Sequence, residues 1–444
     1  MALPSSVLRV ACMVCSAGTI FGFGIAAIAG VLPALERSFD LGLASEQRLV
    51  FSLVIACFFG ALAAGPLSLR WGRRPVLWLA ALVSAAANAW MLTSPSYGAL
   101  VAARVLAGFS IGLLSMVAPM YAAEACTARY RGGVVCLFQL AITGGILGAY
   151  GAALAFEGQG QWHLVLGIGM VPALLLMAAL VGLPESPRWL HRQGRVEESA
   201  EVVAKLGLQQ EWEAAPPASA SAPADWIALL RQGRVAAVLA LCAGLFVLQN
   251  LSGIDGILYY APHIFRDMGF SGERAALLAT FGLGLANFLA TLVGVVLVDR
   301  LGRRPLLIGG SAAMAVGLAI VVLAAFQGWP LVGLLGLCLY IVAFALSLGP
   351  LPYVMMAELF PGALRERGIA FASAVSWLFN ALIALTFLSL MDAVGLATAI
   401  GLFLGVCVLS LIVSLRWVPE TRGVSLEEIE ARVLAGERLR RLGR

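Results

Sequence analysis

The chain has 444 residues, 61% of them hydrophobic and only 12% charged, with a formal net charge of +5. Soluble domains carry roughly a quarter charged residues, so this composition excludes a soluble enzyme and points to a polytopic membrane protein. The basic residues fall in short clusters between apolar runs, which excludes a nucleic-acid-binding face.

Twelve runs of about 20 apolar residues are long enough to span a bilayer. They cover approximately 10–35, 49–69, 76–93, 98–120, 133–156, 163–183, 235–258, 277–298, 305–326, 331–355, 368–391 and 395–417. The first is read as a span and not as a signal peptide, because it lacks a convincing cleavage site. Eight Cys are scattered, most of them in apolar runs. Cys12 and Cys15 form a CxxC pair inside the first span with no nearby His or second pair, so they read as packing residues. No metal site, no cofactor and no nucleophile–base set is expected. Between the sixth and seventh spans, residues 191–234 hold a short amphipathic segment followed by an Ala/Pro/Ser linker at Ala214–Ala224. The expected organisation is a bundle at 1–190, this loop, a bundle at 235–418 and a tail at 419–444. With the N-terminus inside, 24 of the 29 Lys and Arg fall in inner loops and tails, four in outer loops, and Arg104 within a span. Both termini are therefore expected in the cytoplasm.

The chain repeats itself. Arg70-Trp-Gly-Arg73-Arg74-Pro75 follows the second span and Arg300-Leu-Gly-Arg303-Arg304-Pro305 the eighth. Glu124 precedes Arg131 by seven residues, and Glu358 precedes Arg365 by seven. Pro184-Glu185-Ser-Pro-Arg188 follows the sixth span and Pro419-Glu420-Thr-Arg-Gly423 the twelfth. These offsets of 230–235 residues indicate a duplicated six-helix unit in parallel orientation, the pattern of a transporter whose halves meet around a central cavity. Guanidinium–carboxylate pairs among these loops are expected to latch the two bundles on the cytoplasmic side, the bland alternative being charges that only fix topology.

Polar groups inside spans are costly unless they line a cavity or find partners. Leu248–Tyr260 reads LQNLSGIDGILYY and concentrates them: Gln249, Asn250, Ser252 and Asp255, closing on Tyr259 and Tyr260. Gly349-Pro350-Leu351-Pro352 interrupts the tenth span, where Pro removes a backbone donor and clashes with the preceding turn.

With these motifs, Pro119-Met-Tyr-Ala-Ala-Glu124 and Ala357-Glu-Leu-Phe-Pro361, the chain resembles the sugar porters of the major facilitator superfamily over nearly its whole length. The resemblance implies an all-α fold of twelve transmembrane helices in two parallel-repeat six-helix bundles. It implies no cofactor, and as partners a monosaccharide or polyol, the lipid bilayer and, if coupled, a proton, in a monomer of a bacterial inner membrane. By resemblance Gln139, Gln249, Asn250, Asn287 and Trp377 bind sugar, and Gly349, Pro350, Pro352 and Tyr353, with Tyr259 and Tyr260, form gates. Neutral amides suit hydroxyl-rich, uncharged ligands and aromatic faces suit pyranose C–H faces. The departures matter. Proton-coupled members resemble one another in a first-span Asp paired with a fourth-span Arg; here that Asp is Gly24, although Arg104 is kept, which slightly favours facilitated uniport. Asp255 stands where Asn is usual and has three readings: acceptor for sugar hydroxyls, relocated proton carrier, or counter-charge to Arg104. Leu69 replaces an acid beside the first basic loop, so that latch is expected to be the weaker. The rivals are proton symport through Asp255, an organic-anion carrier using Arg104, and a sugar sensor. The tail from Leu426 is too short for a signalling domain.

Overall fold

Twelve helices among the described residues are long and apolar enough to cross a membrane, as the hydropathy pattern predicts. The computed structural model describes residues 4–157, 160–209, 212, 231, 234–360, 365–422, 424 and 426–442, and these contain helices and loops with no strand. The chain forms two compact units, Met1–Ser219 and Ala220–Arg444. The first holds α1 (Ser5–Phe39), α2 (Leu43–Trp71), α3 (Arg73–Leu92), α4 (Tyr97–Ala125), α5 (Ala128–Ala155), α6 (Trp162–Gly167), α7 (Met170–Leu180) and the short α8 (Pro187–Arg192) and α9 (Val196–Leu206). The second holds α10 (Val235–Leu251), α11 (Ile254–Tyr259), α12 (Ala261–Asp267), α13 (Glu273–Leu301), α14 (Arg303–Gln327), α15 (Pro330–Leu346), α16 (Leu351–Leu359), α17 (Arg365–Val394), α18 (Leu396–Arg416) and α19 (Leu426–Leu434). The predicted Ala/Pro/Ser linker lies outside the described residues.

Within the first unit α1 packs along α5, and α2 along α4. Lipid tails are as apolar as Leu, so helices in a membrane associate through close packing at small residues. At Gly22 a Cβ would stand 1.8 Å from the Ile142 carbonyl oxygen of α5, a distance that admits only glycine. The short α8 begins by ordinary capping: the Ser186 hydroxyl accepts from the Trp189 N–H at 3.2 Å, with Pro187 in the first turn.

The duplicated loops build the same device twice. The Glu185 carboxylate accepts the backbone N–H of Arg73 (2.9 Å) and Arg74 (3.1 Å), so it caps the N-terminus of α3. Glu420 caps α14 in the same way, through Arg303 N (3.1 Å) and Arg304 N (3.1 Å). A helix N-terminus presents unsatisfied donors and partial positive charge, which suits a carboxylate. Burial pushes the Glu185 carboxyl up from its ordinary range, and the N–H groups of Ser186, Arg73 and Arg74 oppose that shift. The glycine of each motif makes room: Gly72 and Gly302 have φ of +97° and +91°, and a Cβ would stand 2.4 Å and 2.7 Å from the capping carboxylates.

Each arginine then points at its own unit's second carboxylate. Arg73 bonds both oxygens of Glu124 at 2.9 Å and the Ser68 carbonyl at 3.2 Å, and the Ser186 hydroxyl donates to Glu124. Arg303 sets its Nε and one terminal nitrogen on a single oxygen of Glu358 (3.2 and 2.9 Å), and the Thr421 hydroxyl donates to the other oxygen. Each of these pairs joins helices of a single unit. The Arg131 and Arg365 side chains lie outside the described residues. The Arg73–Glu124 pair is the more enclosed, with side-chain exposures of 2% and 11% against 14% and 19% for Arg303–Glu358. Leu69 instead lends its carbonyl to the Trp189 indole N–H at 2.9 Å.

The tail packs inside the second unit. Ile429 and Val433 of α19 are buried, and the Arg234 N–H that precedes α10 donates to the Val433 carbonyl at 2.9 Å.

Removing one partner of a buried ion pair leaves an uncompensated charge and costs roughly 3–5 kcal/mol. Glu124→Ala is therefore expected to lower the melting temperature in detergent more than Glu358→Ala. Gly72→Ala is expected to destabilise by about 1–3 kcal/mol through its positive φ and the displaced Glu185. Thermal-shift measurements on the purified variants check both.

Candidate functional site in a broken transmembrane helix

The seventh span does not run through. α10 ends at Leu251, Gly253 takes φ +88°, and α11 restarts at Ile254. A break at this depth needs partners for the backbone groups it frees. Tyr340 of α15 supplies one, donating to the Ser252 carbonyl at 3.0 Å, and the Ser252 hydroxyl donates to the Gln249 carbonyl at 2.7 Å. Gly256 lies directly under a ring: a Cβ there would sit 2.0 Å from Phe387. Phe387 stacks on Tyr260 (5.7 Å) and Phe403 (5.4 Å), so three aromatic planes hold the restart against α17 and α18.

The polar side chains of this segment are drawn together by α17 and α16. Gln249 donates through Nε2 to the Gly349 carbonyl at 3.0 Å. Asn250 donates to the Phe246 carbonyl (2.8 Å) and to the Ser376 hydroxyl (3.1 Å), which adjoins the buried Trp377. Asp255 is half-buried on α11. The Tyr259 hydroxyl donates to Asn380 Oδ1 at 2.8 Å, and the Tyr260 hydroxyl to the Ala384 carbonyl at 2.9 Å. Both tyrosines are thus buried and bound to α17.

The tenth span breaks where its prolines predict. α15 ends at Leu346, α16 begins at Leu351, and the Gly349 carbonyl between them is the acceptor of Gln249. Tyr353 packs edge-on against Phe246 at 4.7 Å. Gln249, Asn250, Asp255, Trp377 and Tyr353 therefore belong to one neighbourhood. Asn287 is buried on α13 of the same unit, and Gln139 is half-buried on α5 of the first unit. Sequence reasoning missed Asn380 and Tyr340. Asn380 carried a usable signal, a neutral amide in a span one turn beyond Ser376; Tyr340 in an apolar run carried none.

Gly24 and Arg104 face a common small cavity in the first unit, lined also by Phe23, Ser84, Asn88 and Ile111 and by no acidic residue. It offers about 10 Å³ to the centre of a water molecule, room for one. Arg104 is buried there and donates from Nε to the Leu49 carbonyl at 3.0 Å.

Residues 10–432 match the family model described as "Sugar (and other) transporter". The chain belongs to the sugar porters of the major facilitator superfamily. Its relatives include the galactose-proton symporter of Escherichia coli strain K12, 32% identical over 437 residues that cover 96% of this chain and 94% of that protein. The arabinose-proton symporter of the same strain is 32% identical over 442 residues, covering 96% and 93%. Among solved structures, the proton:xylose symporter XylE bound to 6-bromo-6-deoxy-D-glucose superposes with a TM-score of 0.81 at 29% identity, over 97% of this chain and 99% of that one. The all-α, twelve-span major facilitator fold is that of this sugar porter, a membrane transporter and not an enzyme. The preference for uniport drawn from Gly24 finds no support in these relatives, all three of which are named as proton symporters.

Gln249→Ala removes both a candidate sugar contact and the support of the Gly349 carbonyl. Uptake is expected to fall to background in protein that still reaches the membrane. Unchanged substrate affinity in this variant would take Gln249 out of the site.

Proposed function

We propose that this sugar porter carries a monosaccharide by alternating access, coupled to a proton that rides on Asp255. The observation that carries the reading is the carboxylate at the α10–α11 break, in one neighbourhood with Gln249, Asn250 and Trp377. Neutral amides donate and accept with equal ease, as a ligand of many hydroxyls requires, and the indole of Trp377 suits a pyranose face. Asn287 completes the set on the second unit; Gln139 is the candidate of the first. A carboxylate placed inside a span is by default part of a substrate or proton path. The symporter names of the relatives support proton coupling, and their galactose, arabinose and xylose support a hexose or pentose. The proposal places the protein as a monomer in a bacterial inner membrane with both termini cytoplasmic, following the charge distribution of its loops. In it the Gly349–Pro352 break acts as the gate.

Facilitated uniport is the second reading, favoured by Gly24, which stands where the resemblance to proton-coupled members implies an Asp. An organic-anion carrier is disfavoured, because a cavity with room for one water does not admit an aromatic carboxylate beside Arg104.

The test is uptake of labelled D-glucose, D-xylose and D-galactose into proteoliposomes with and without an inward proton gradient. Accumulation above the outside concentration, abolished by a protonophore, is expected, and Asp255→Asn is expected to lose accumulation while retaining sugar exchange. Equilibration indifferent to the gradient would establish uniport. Absence of uptake and of competition by any of the sugars, in folded protein, would overturn the sugar reading.

A further inference from the structure

The tail is pinned where the seventh span begins. Arg234 directly precedes that span, Val235–Tyr259. Its backbone N–H donates to the Val433 carbonyl of α19 at 2.9 Å, and its Nε donates to the Gly436 carbonyl at 3.3 Å. α19 also packs on α16, the part of the tenth span that follows its break. A residue that opens a span lies at the headgroup layer, and so does the segment bonded to it.

Beyond α19 the chain turns back. The Arg432 guanidinium donates to the carbonyls of Arg441 at 3.3 Å and Leu442 at 3.4 Å. Leu439–Arg441 is a 3₁₀ turn, whose three-residue period sets positions i and i+3 on one side. Leu439 and Leu442 share a side, and Leu442 is fully buried. Arg438 and Arg441 share another; both are exposed, as is Arg440 between them. Arg231 and Arg234, also exposed, stand before the first turn of α10. Against these five stand the exposed Glu437 and the half-buried Glu430, while Glu428 is paired with Arg432. Fixing topology calls for positive charge beside a span. It does not call for a turn that seats a leucine inward and sets its arginines outward.

We propose that this tail is a docking surface for the anionic phospholipid headgroups of the leaflet on which it lies. Guanidinium forks match phosphate oxygens and keep their charge at any working pH. A basic cluster of this size beside a span is drawn to the negative surface potential of anionic lipid. Docked lipid holds α19 over α10 and α16, and so bears on both broken spans. The inference is independent of the sugar carried and of its coupling.

The amides of Arg441 and Leu442 donate to the carbonyls of Arg438 at 2.8 Å and Leu439 at 3.2 Å, so their hydrogen exchange reports opening of the turn. The experiment is hydrogen–deuterium exchange of the full-length protein in nanodiscs of phosphatidylcholine, alone or mixed with phosphatidylglycerol. Exchange across residues 435–442 is expected to be slower in the mixed discs, and high salt is expected to remove the difference. Each arginine near such a surface strengthens docking by a factor of about five, so loss of three weakens it about a hundredfold. Arg438→Gln/Arg440→Gln/Arg441→Gln is therefore expected to exchange at one rate in both discs. Arg438→Lys/Arg440→Lys/Arg441→Lys keeps the charge and is expected to keep most of the difference. Inorganic phosphate added to the phosphatidylcholine discs is expected to have no effect. Equal exchange of the wild type in the two lipids, protection that survives the triple Gln change, or equal protection by free phosphate overturns the proposal.

Discussion

A helix broken inside a bilayer must find new partners for every backbone group it frees, and the second unit is arranged around two such breaks. One lies at Ser252–Gly253 and the other between Leu346 and Leu351. Each is held by a side chain of another helix: Tyr340 on the Ser252 carbonyl, Gln249 on the Gly349 carbonyl. The second bond joins the breaks to each other, so the seventh and tenth spans share one amide. In hydrocarbon an unmet carbonyl costs several kcal/mol. A rearrangement of either break must therefore hand that bond to another donor, and a sugar hydroxyl is a donor of the right kind.

The charged clusters answer a different need. Glu185 and Glu420 close helix N-termini, while Glu124 and Glu358 neutralise the arginines that follow. Their near-identity in the two units contrasts with the span that opens each: α1 runs unbroken from Ser5 to Phe39, whereas the seventh span breaks between α10 and α11. Duplication has preserved the scaffold of each bundle, and the chemistry has diverged inside it.

The spans, the duplication and the break in the tenth span were legible because hydropathy, motif spacing and proline act locally; the break at Gly253 was not, because no proline marks it. The partners of the charges were not. Glu124 sits seven residues from Arg131, yet its ion pair is with Arg73, brought to it by the packing of α3 on α4. Sequence distance gave no hint that this pairing stays within a bundle. The polar set at the break was half legible: Gln249, Asn250 and Asp255 stand out in an apolar run, whereas Asn380 gains its meaning only from the hydroxyl of Tyr259 on the facing helix.

The backbone of Arg234 meets Val433, and its guanidinium Nε donates to the Gly436 carbonyl across 202 residues of chain. The entry to the seventh span is thus closed by residues that follow the twelfth. Membrane chains are synthesised from the N-terminus, and early units fold first. The first unit has all its helices once translation passes the linker. The second waits, its leading helix open at the end where it begins, until the segment that covers it has been made.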